Sequence, residues 1–499
     1  MAPAIPPSME RPHFIGIGGA GMSGIAKILA QRGARVAGSD AKGSPVTEAL
    51  ESLGATVRIG HAAEHLAPDA TCVVVSSAIR EDNPELVAAA ERGVAVVHRS
   101  DALAALMDGT RALAIAGTHG KTTTTSMLAV GLRTLGLDPS FAIGGDLDEP
   151  GSNAHQGAGD LFVAEADESD RSFHRYAPRV AVVLNAELDH HANYASMEEI
   201  HESFEIFVDR IEPGGTLVVN ADQEGARELT ARVRARSDVA VLTYGESEQA
   251  DVRVLSVRPR GLSSEVVVRF GGAAADLADG DVHLAVSVPG RHYAHNAVAA
   301  LTVAAAAGVP VAELAPALAS YTGVKRRLQL KGEAAGVQVI DSYAHHPTEM
   351  TADLEAIRGA LGADGAEIVD GAGGADGAAG AAGEKGRVLV VFQPHLFSRT
   401  QELGTEMGAA LALADASLVL EIYPAREDPI PGVTSELIID AARQAGADVQ
   451  AVDGAEQIPQ VLAGMVKPGD LVLTMGAGDV TDLGPRILTR LAASEEGER

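Results

Sequence analysis

At 499 residues, the chain is long enough for roughly three domains and several buried cores. Its composition, 46% hydrophobic and 21% charged, is that of an ordinary globular protein. A formal charge of −29 argues against general binding to nucleic acid or anionic membranes, and leaves anionic small molecules open if basic residues gather locally.

The first residues, MAPAIPPSMERPHF, carry neither a basic nor an apolar signal region, so no secretory leader is expected. The run 13–17 predicts a strand that meets a glycine loop, and 36–40, 72–76 and 94–97 predict further strands. Strands alternating with helix-like stretches argue for a parallel, doubly wound sheet. The only cysteine, Cys72, lies in one of these Val-rich runs. It excludes an internal disulfide and fits a reducing cytoplasm. Gly16-Ile-Gly18-Gly19-Ala20-Gly21 satisfies G-x-G-x-x-G after a strand and before a helix expected over 23–30, and Asp40 ends the next strand. Such glycines let backbone N–H groups approach a diphosphate at a helix N-terminus. The loop alone does not say which diphosphate nucleotide binds, and NAD is the default.

A second start follows at 111–116, a strand running into Gly117-Thr118-His119-Gly120-Lys121-Thr122-Thr123. This is a phosphate loop shortened at its front, since Ile115 stands where G-x-x-x-x-G-K-[ST] has glycine. Lys121 suits the β- and γ-phosphates and the Thr122 hydroxyl suits Mg²⁺. Two neighbouring strand ends carry hard oxygen donors. Glu165-Ala-Asp167-Glu168-Ser-Asp170 follows the strand expected at 161–164, and Asn185-Ala-Glu187-Leu-Asp189-His190-His191 follows 180–184. A strand at 216–219 follows, and from about 240 to 290 alternating residues predict an antiparallel meander with one wet face. The apolar run 297–312 contains Gly308 and Pro310 and reads as a packed helix, not a membrane span.

The last segment adds strands at 387–392, 418–423 and 471–474 and a basic triplet, Lys325-Arg326-Arg327. A Gly/Ala/Asp-rich insertion spans 363–386. The expected architecture is α/β in three domains: 1–108 Rossmann-like, 109–324 P-loop ATPase-like, and 325–499 Rossmann-like.

Together these motifs resemble the muramyl ligases, ATP-dependent amide-forming enzymes of peptidoglycan precursor synthesis. The resemblance extends over nearly the whole chain. It rests on 117–123, the segment around Glu168, Asn185–His190, His295-Asn296, Gly323-Val-Lys-Arg326-Arg327, Asp341-Ser-Tyr-Ala-His345-His346-Pro, and Phe392-Gln-Pro-His395 with Arg399. It implies ATP and Mg²⁺ as cofactors in a cytoplasmic enzyme. It implies that the first domain holds a UDP-sugar, not NAD, on Gly16, Gly18, Gly19, Ala20, Gly21, Met22, Ser23, Ser39 and Asp40. By the same match Glu168 and His190 bind metal with Thr122, Asn296 contacts adenine, Arg326 or Arg327 meets the phosphates, and Asp341 meets the ribose. His345, His395 and Arg399 face the reacting substrates. Within the family, G-I-G-G-A-G-M-S-G and D-S-Y-A-H-H-P point to UDP-N-acetylmuramate and L-alanine as the substrates joined. The base that takes the amine proton is His345 or His346, and a monomer and a dimer are both compatible.

Three departures stand out. Asp341 is followed by Ser342 where relatives often pair two Asp, and His191-Ala192-Asn193 replaces an acidic residue after the metal His. No lysine occurs between Lys121 and Lys325, so the carbamylated lysine of several relatives has no counterpart. A nicotinamide oxidoreductase is the rival class, and it leaves the Gly-Lys-Thr loop unexplained. A nucleotide-binding regulator without catalysis leaves the third-domain His and Arg groups unexplained.

Overall fold

The computed structural model describes residues 5–147, 152–188, 193–236, 239–363, 386–425 and 427–497. The 363–386 insertion falls almost entirely outside them. Three sheets, all rich in parallel pairs, carry the described chain, which is the α/β class expected from the alternation of strands and helices. The first runs in the order Thr56–Ile59, Ala37–Asp40, Pro12–Ile15, Cys72–Val75, Ala95–His98, parallel throughout. The chain order reverses beside Pro12–Ile15, and a ligand crevice forms at such a switch point. The two central strands are buried on both faces and so read as short continuous apolar runs.

The second sheet has ten strands. Its parallel stretch runs Val252–Arg260, Ala240–Gly245, Thr216–Asn220, Val180–Val183, Arg111–Ala116, Leu161–Glu165, Ser140–Ala142. Ala240–Gly245 therefore does not open an antiparallel meander as its alternation predicts. It pairs in parallel with both neighbours, residues 216–220 and 252–253. Beyond that stretch lie Ser263–Phe270 and Asp281–Val286 at one end and Ala154–His155, antiparallel to Ser140–Ala142, at the other, and Ser263–Phe270 alternates buried and open residues as expected of a strand with one wet face. The third sheet runs Gln329–Ala334, Val337–Ser342, Leu471–Met475, Val388–Phe392, Ala416–Val419, Val449–Ala451, with only the first pair antiparallel.

The chain divides into two compact units. One reaches to Val257 and includes Val266–Val286 and Ala294–Thr322. The other comprises Arg258–Glu265, Ser287–Tyr293 and Gly323–Arg499. In the first unit one apolar cluster runs without a break from the first sheet (Phe14, Ile25, Leu29, Leu106) to the second (Ala114, Phe162, Phe173, Phe204, Phe207). The two sheets of this unit thus share a core. No helix among the described residues is long and apolar enough to cross a membrane.

Candidate functional site

Two glycine loops in the first unit each join a parallel strand to a helix. In the earlier loop Gly16 takes φ +77°, a left-handed conformation that favours glycine. The Gly16 and Ile17 N–H groups donate to the Ser39 carbonyl at 2.8 and 2.9 Å. The Gly18 N–H donates to Asp40 Oδ2 at 2.8 Å. Asp40 thus braces the loop from the end of the adjacent strand. Gly19, Ala20 and Gly21 are exposed and open the helix Ala20–Gln31. The Gly19 N–H donates to the Gly16 carbonyl at 3.1 Å, so an anion at the helix start would meet the exposed Ala20 and Gly21, whereas Met22 and Ser23 face the core at 3% exposure. Ser39, expected to touch the nucleotide, is fully buried and donates to Glu85 Oε1 at 2.7 Å. His13 and His61 bond the same carboxylate. Burial works against the Glu85 charge, but these bonds hold its carboxyl below the usual range.

The second loop uses Gly117 at φ +139° and Gly120 at φ +82°. Gly120 caps the helix Lys121–Thr134. In its hydroxyl-rich first turns Thr125 Oγ1 donates to the Lys121 carbonyl (2.8 Å) and Ser126 Oγ to that of Thr122 (2.6 Å), the back-bonding that serine and threonine make within a helix. The loop is clasped from the neighbouring strand end. The His119 N–H donates to Asn185 Oδ1 (2.7 Å) and Asn185 Nδ2 donates to the His119 carbonyl (3.1 Å). The Glu187 N–H donates to Thr118 Oγ1 at 2.9 Å.

Lys121 Nζ lies 2.7 Å from the Gly117 carbonyl and 2.9 and 2.7 Å from the two Glu168 oxygens. Burial opposes its charge, but Glu168, Asp167 and Glu165 more than offset this and raise it. Thr122 Oγ1 donates to Glu165 Oε1 at 3.1 Å, and the Gly144 N–H donates to Glu165 Oε2 at 2.8 Å. Burial raises the Glu165 carboxyl, with Lys121 opposing. One hydroxyl and two carboxylates thus converge on the loop, a hard-oxygen set that fits Mg²⁺. His190, the third expected ligand, lies outside the described residues. A Cβ on Gly120 would sit 2.8 Å from Asn296 Oδ1, so Asn296 is at the loop.

The second unit collects the expected groups of the C-terminal segment. Arg326 holds φ +63°. Its guanidinium donates to the Gly476 and Gly478 carbonyls at 2.5 and 2.9 Å. It is a brace for the 476–478 loop. Arg326 and Arg327 both lie over the Tyr343 ring, 4.7 and 5.2 Å from its centroid, and Arg327 is 3.6 Å from Glu349. Asp341, expected to meet a ribose, is fully buried, and its oxygens accept from Thr474 Oγ1 (2.7 Å) and Thr481 Oγ1 (2.6 Å). Ser342, the departure beside it, donates to Asp353.

His345 Nδ1 faces the Tyr343 carbonyl at 2.9 Å. Nδ1 therefore carries the proton and Nε2 the lone pair. Burial pushes this imidazole down to about 4, with Arg399 adding to the effect and Glu349 opposing it. His346 is 7% exposed, and its Nδ1 accepts from the Thr348 N–H at 3.4 Å, at the start of the helix Pro347–Ala363. His395 lies 5.8 Å from the His345 ring and stacks on Tyr423 at 5.9 Å. Burial and then Arg399 push it down to about 4.

Glu165, grouped with Asp167, Glu168 and Asp170 by the sequence, is the last residue of its strand. One residue of the first unit carries no motif signal. Arg99 bonds Asp170, a residue 71 positions away, and no local pattern announces it.

The chain matches three family models in succession: "Mur ligase family, catalytic domain" over 11–111, "Mur ligase middle domain" over 115–304, and "Mur ligase, glutamate ligase domain" over 326–478. It is 72% identical to the UDP-N-acetylmuramate–L-alanine ligase of Streptomyces coelicolor, over 99% of this chain and 100% of that one. The enzyme of the same name from Streptomyces avermitilis matches at 72% with the same coverage. The crystal structure of the UDP-N-acetylmuramate–alanine ligase MurC of Thermotoga maritima superposes with a TM-score of 0.76 at 27% identity, covering 97% of this chain and 99% of that one. Matched by three successive models between residues 11 and 478 and 72% identical to ligases of that family over 99% of its length, the chain belongs to the Mur ligase family.

Proposed function

We propose that the protein is an ATP-dependent ligase that joins L-alanine to the carboxylate of UDP-N-acetylmuramate, a step of peptidoglycan precursor synthesis in the cytoplasm. One observation carries the reading. Two loops built for phosphates stand in one unit, and only the Gly117–Lys121 loop has a lysine and carboxylates around it. A phosphoryl donor with its cation suits that loop, and a diphosphate that is only held suits Gly16–Gly21. The near-full-length identity to ligases of that name supports the choice of substrates. The buried Cys72, its thiol pushed up to about 11 by burial, suits a reducing compartment.

The chemistry follows from the residues. The muramate carboxylate attacks the γ-phosphate, forming an acyl phosphate and releasing ADP. Gly120 and the N-terminus of the helix Lys121–Thr134 meet the nucleotide phosphates, and Asn296 meets the adenine. Lys121 exchanges Glu168 and the Gly117 carbonyl for phosphate oxygens as charge builds on the transferring group. Thr122, Glu165, Glu168 and His190 would hold Mg²⁺, which neutralises phosphate charge. Arg327, with Arg326 committed to the 476–478 loop, is the arginine we assign to the phosphates. The amine of L-alanine then attacks the acyl carbonyl, and phosphate leaves as the tetrahedral oxyanion collapses. His345 is neutral at pH 7 with Nε2 as acceptor, and we assign it the amine proton.

The test measures ADP release with ATP, Mg²⁺ and UDP-N-acetylmuramate, varying the amine among L-alanine, glycine, L-serine and a short peptide. Turnover led by L-alanine is expected. No ADP with any amine would overturn the ligase reading, and preference for the peptide would reassign the amine.

A further inference from the structure

Arg99 begins the helix Arg99–Met107 in the first unit. Its Nη2 donates to Asp170 Oδ2 at 2.7 Å and lies 3.6 Å from Asp167 Oδ2. These two carboxylates flank Glu168, the partner of Lys121 at 2.7 Å. The acidic loop is itself pinned: Asp167 Oδ1 accepts from the Ser169 N–H at 3.1 Å and Asp170 Oδ1 from the Ser172 N–H at 3.0 Å. On its other side Arg99 lies against the first glycine loop. A Cβ at Gly21 would stand 3.1 Å from Arg99 Nη1 and 3.5 Å from its Cδ. Among the described residues Nη1 donates to no protein acceptor.

The position is electrostatically odd for a purely structural arginine. A helix N-terminus carries partial positive charge, and a guanidinium beside it is repelled unless an anion lies between them. Asp167 and Asp170 neutralise Arg99 from one side only. A planar fork can serve two acceptors in fixed directions, which an ammonium cannot. Arg99 is therefore a two-armed link with one arm on the acidic loop of the Lys121 site and the other aimed at the loop of Gly16–Gly21.

We propose that Arg99 is a positioning residue that couples the two nucleotide sites: Nη1 binds an oxygen of the diphosphate held on Gly16–Gly21, and Nη2, through Asp170 and Asp167, holds the acidic loop that places Glu168 beside the Gly117–Lys121 loop. The assignment rests on the proposed binding of UDP-N-acetylmuramate at that loop. Filling either site then favours the arrangement that the other needs, and the coupling is reciprocal.

Calorimetric titration tests this, with UDP-N-acetylmuramate added in the absence and presence of Mg²⁺ and the β,γ-imido analogue of ATP. Wild type should bind the sugar nucleotide roughly 5-fold or more tighter when the analogue is present. Asp170→Asn should keep the affinity measured without analogue and lose most of the enhancement. Arg99→Lys keeps a charge beside Asp170, so it should fold normally. It should bind the sugar nucleotide about 10-fold more weakly and show no enhancement, because one ammonium cannot reach both partners. An Arg99→Lys protein with wild-type affinity and enhancement overturns the role of Arg99 alone, as does an Asp170→Asn protein that retains the full enhancement. Wild type that binds no UDP-N-acetylmuramate overturns the proposed substrate and the coupling with it.

Discussion

Lys121 holds a network of buried charge at the phosphate loop. Its ammonium contacts a carboxylate that is 3% exposed. Removing one member of such a pair strands the other, at a cost of about 3–5 kcal/mol. Lys121→Ala should therefore lower stability in a urea titration as well as slow ADP formation, on the order of 10²–10³-fold. Adding Glu168→Gln should restore much of the stability and none of the activity. If the double variant is as unstable as the single one, the pair is not what Lys121 stabilises. Separate sites also require that Lys121→Ala keep its affinity for UDP-N-acetylmuramate. The two adjacent arginines divide their work differently. Arg326 donates to backbone carbonyls from a left-handed backbone, so Arg326→Ala should destabilise by roughly 2–4 kcal/mol. Arg327→Ala should leave the melting temperature near wild type and raise KM for ATP. Equal stability losses for the two would contradict this division. The sequence left Arg326 and Arg327 equivalent, because the carbonyls that occupy Arg326 lie 150 and more positions away.

At the scale of elements, the glycines of the second loop are set by close approach. A Cβ on Gly117 would meet Leu184 Cβ at 3.0 Å and the Asn185 nitrogen at 3.1 Å, from a φ of +139° that side chains rarely adopt. Gly117→Ala should cost roughly 1–3 kcal/mol, read from the urea midpoint, and should weaken ATP-analogue binding because the loop cannot close on Asn185. Unchanged midpoint and affinity would mean that the loop relaxes elsewhere. This loop was legible because its signal is local: a strand, glycines, lysine, a helix. The acid-bearing strand ends were legible for the same reason, since residues that follow buried parallel strands gather on one rim. Ala240–Gly245 was misread because alternation reports a face and not a partner. Its neighbour, Thr216–Asn220, lies earlier in the chain and accepts it in parallel. Asp341 shows a further limit. The resemblance gives it to a ribose, and its side chain is held by two threonines more than 130 positions away, contacts that no local pattern announces.

At the scale of the whole molecule, a chain of net charge −29 keeps its neutral histidines in the second unit by burial. His345 and His395 are both pushed down to about 4. His345 faces Glu349, Arg399 and Tyr343, and Arg399 opposes a charge on either ring. In the unfolded chain both imidazoles bind protons below about pH 6.5. Between that value and about 4 the unfolded state holds more protons, so stability falls as the pH drops through this window and is unaffected above it. For one such group the slope reaches about 1.4 kcal/mol per pH unit. Carboxylates elsewhere add their own acid dependence, so the informative quantity is a difference. His345→Gln should start less stable than wild type at pH 7.5. It should lose less on going to pH 5, so the two melting curves converge. His395→Gln should behave alike. Parallel pH profiles for wild type and His345→Gln would mean that His345 titrates normally in the folded protein. It would then be partly charged at pH 6, and its assignment as proton acceptor would weaken with the stability argument.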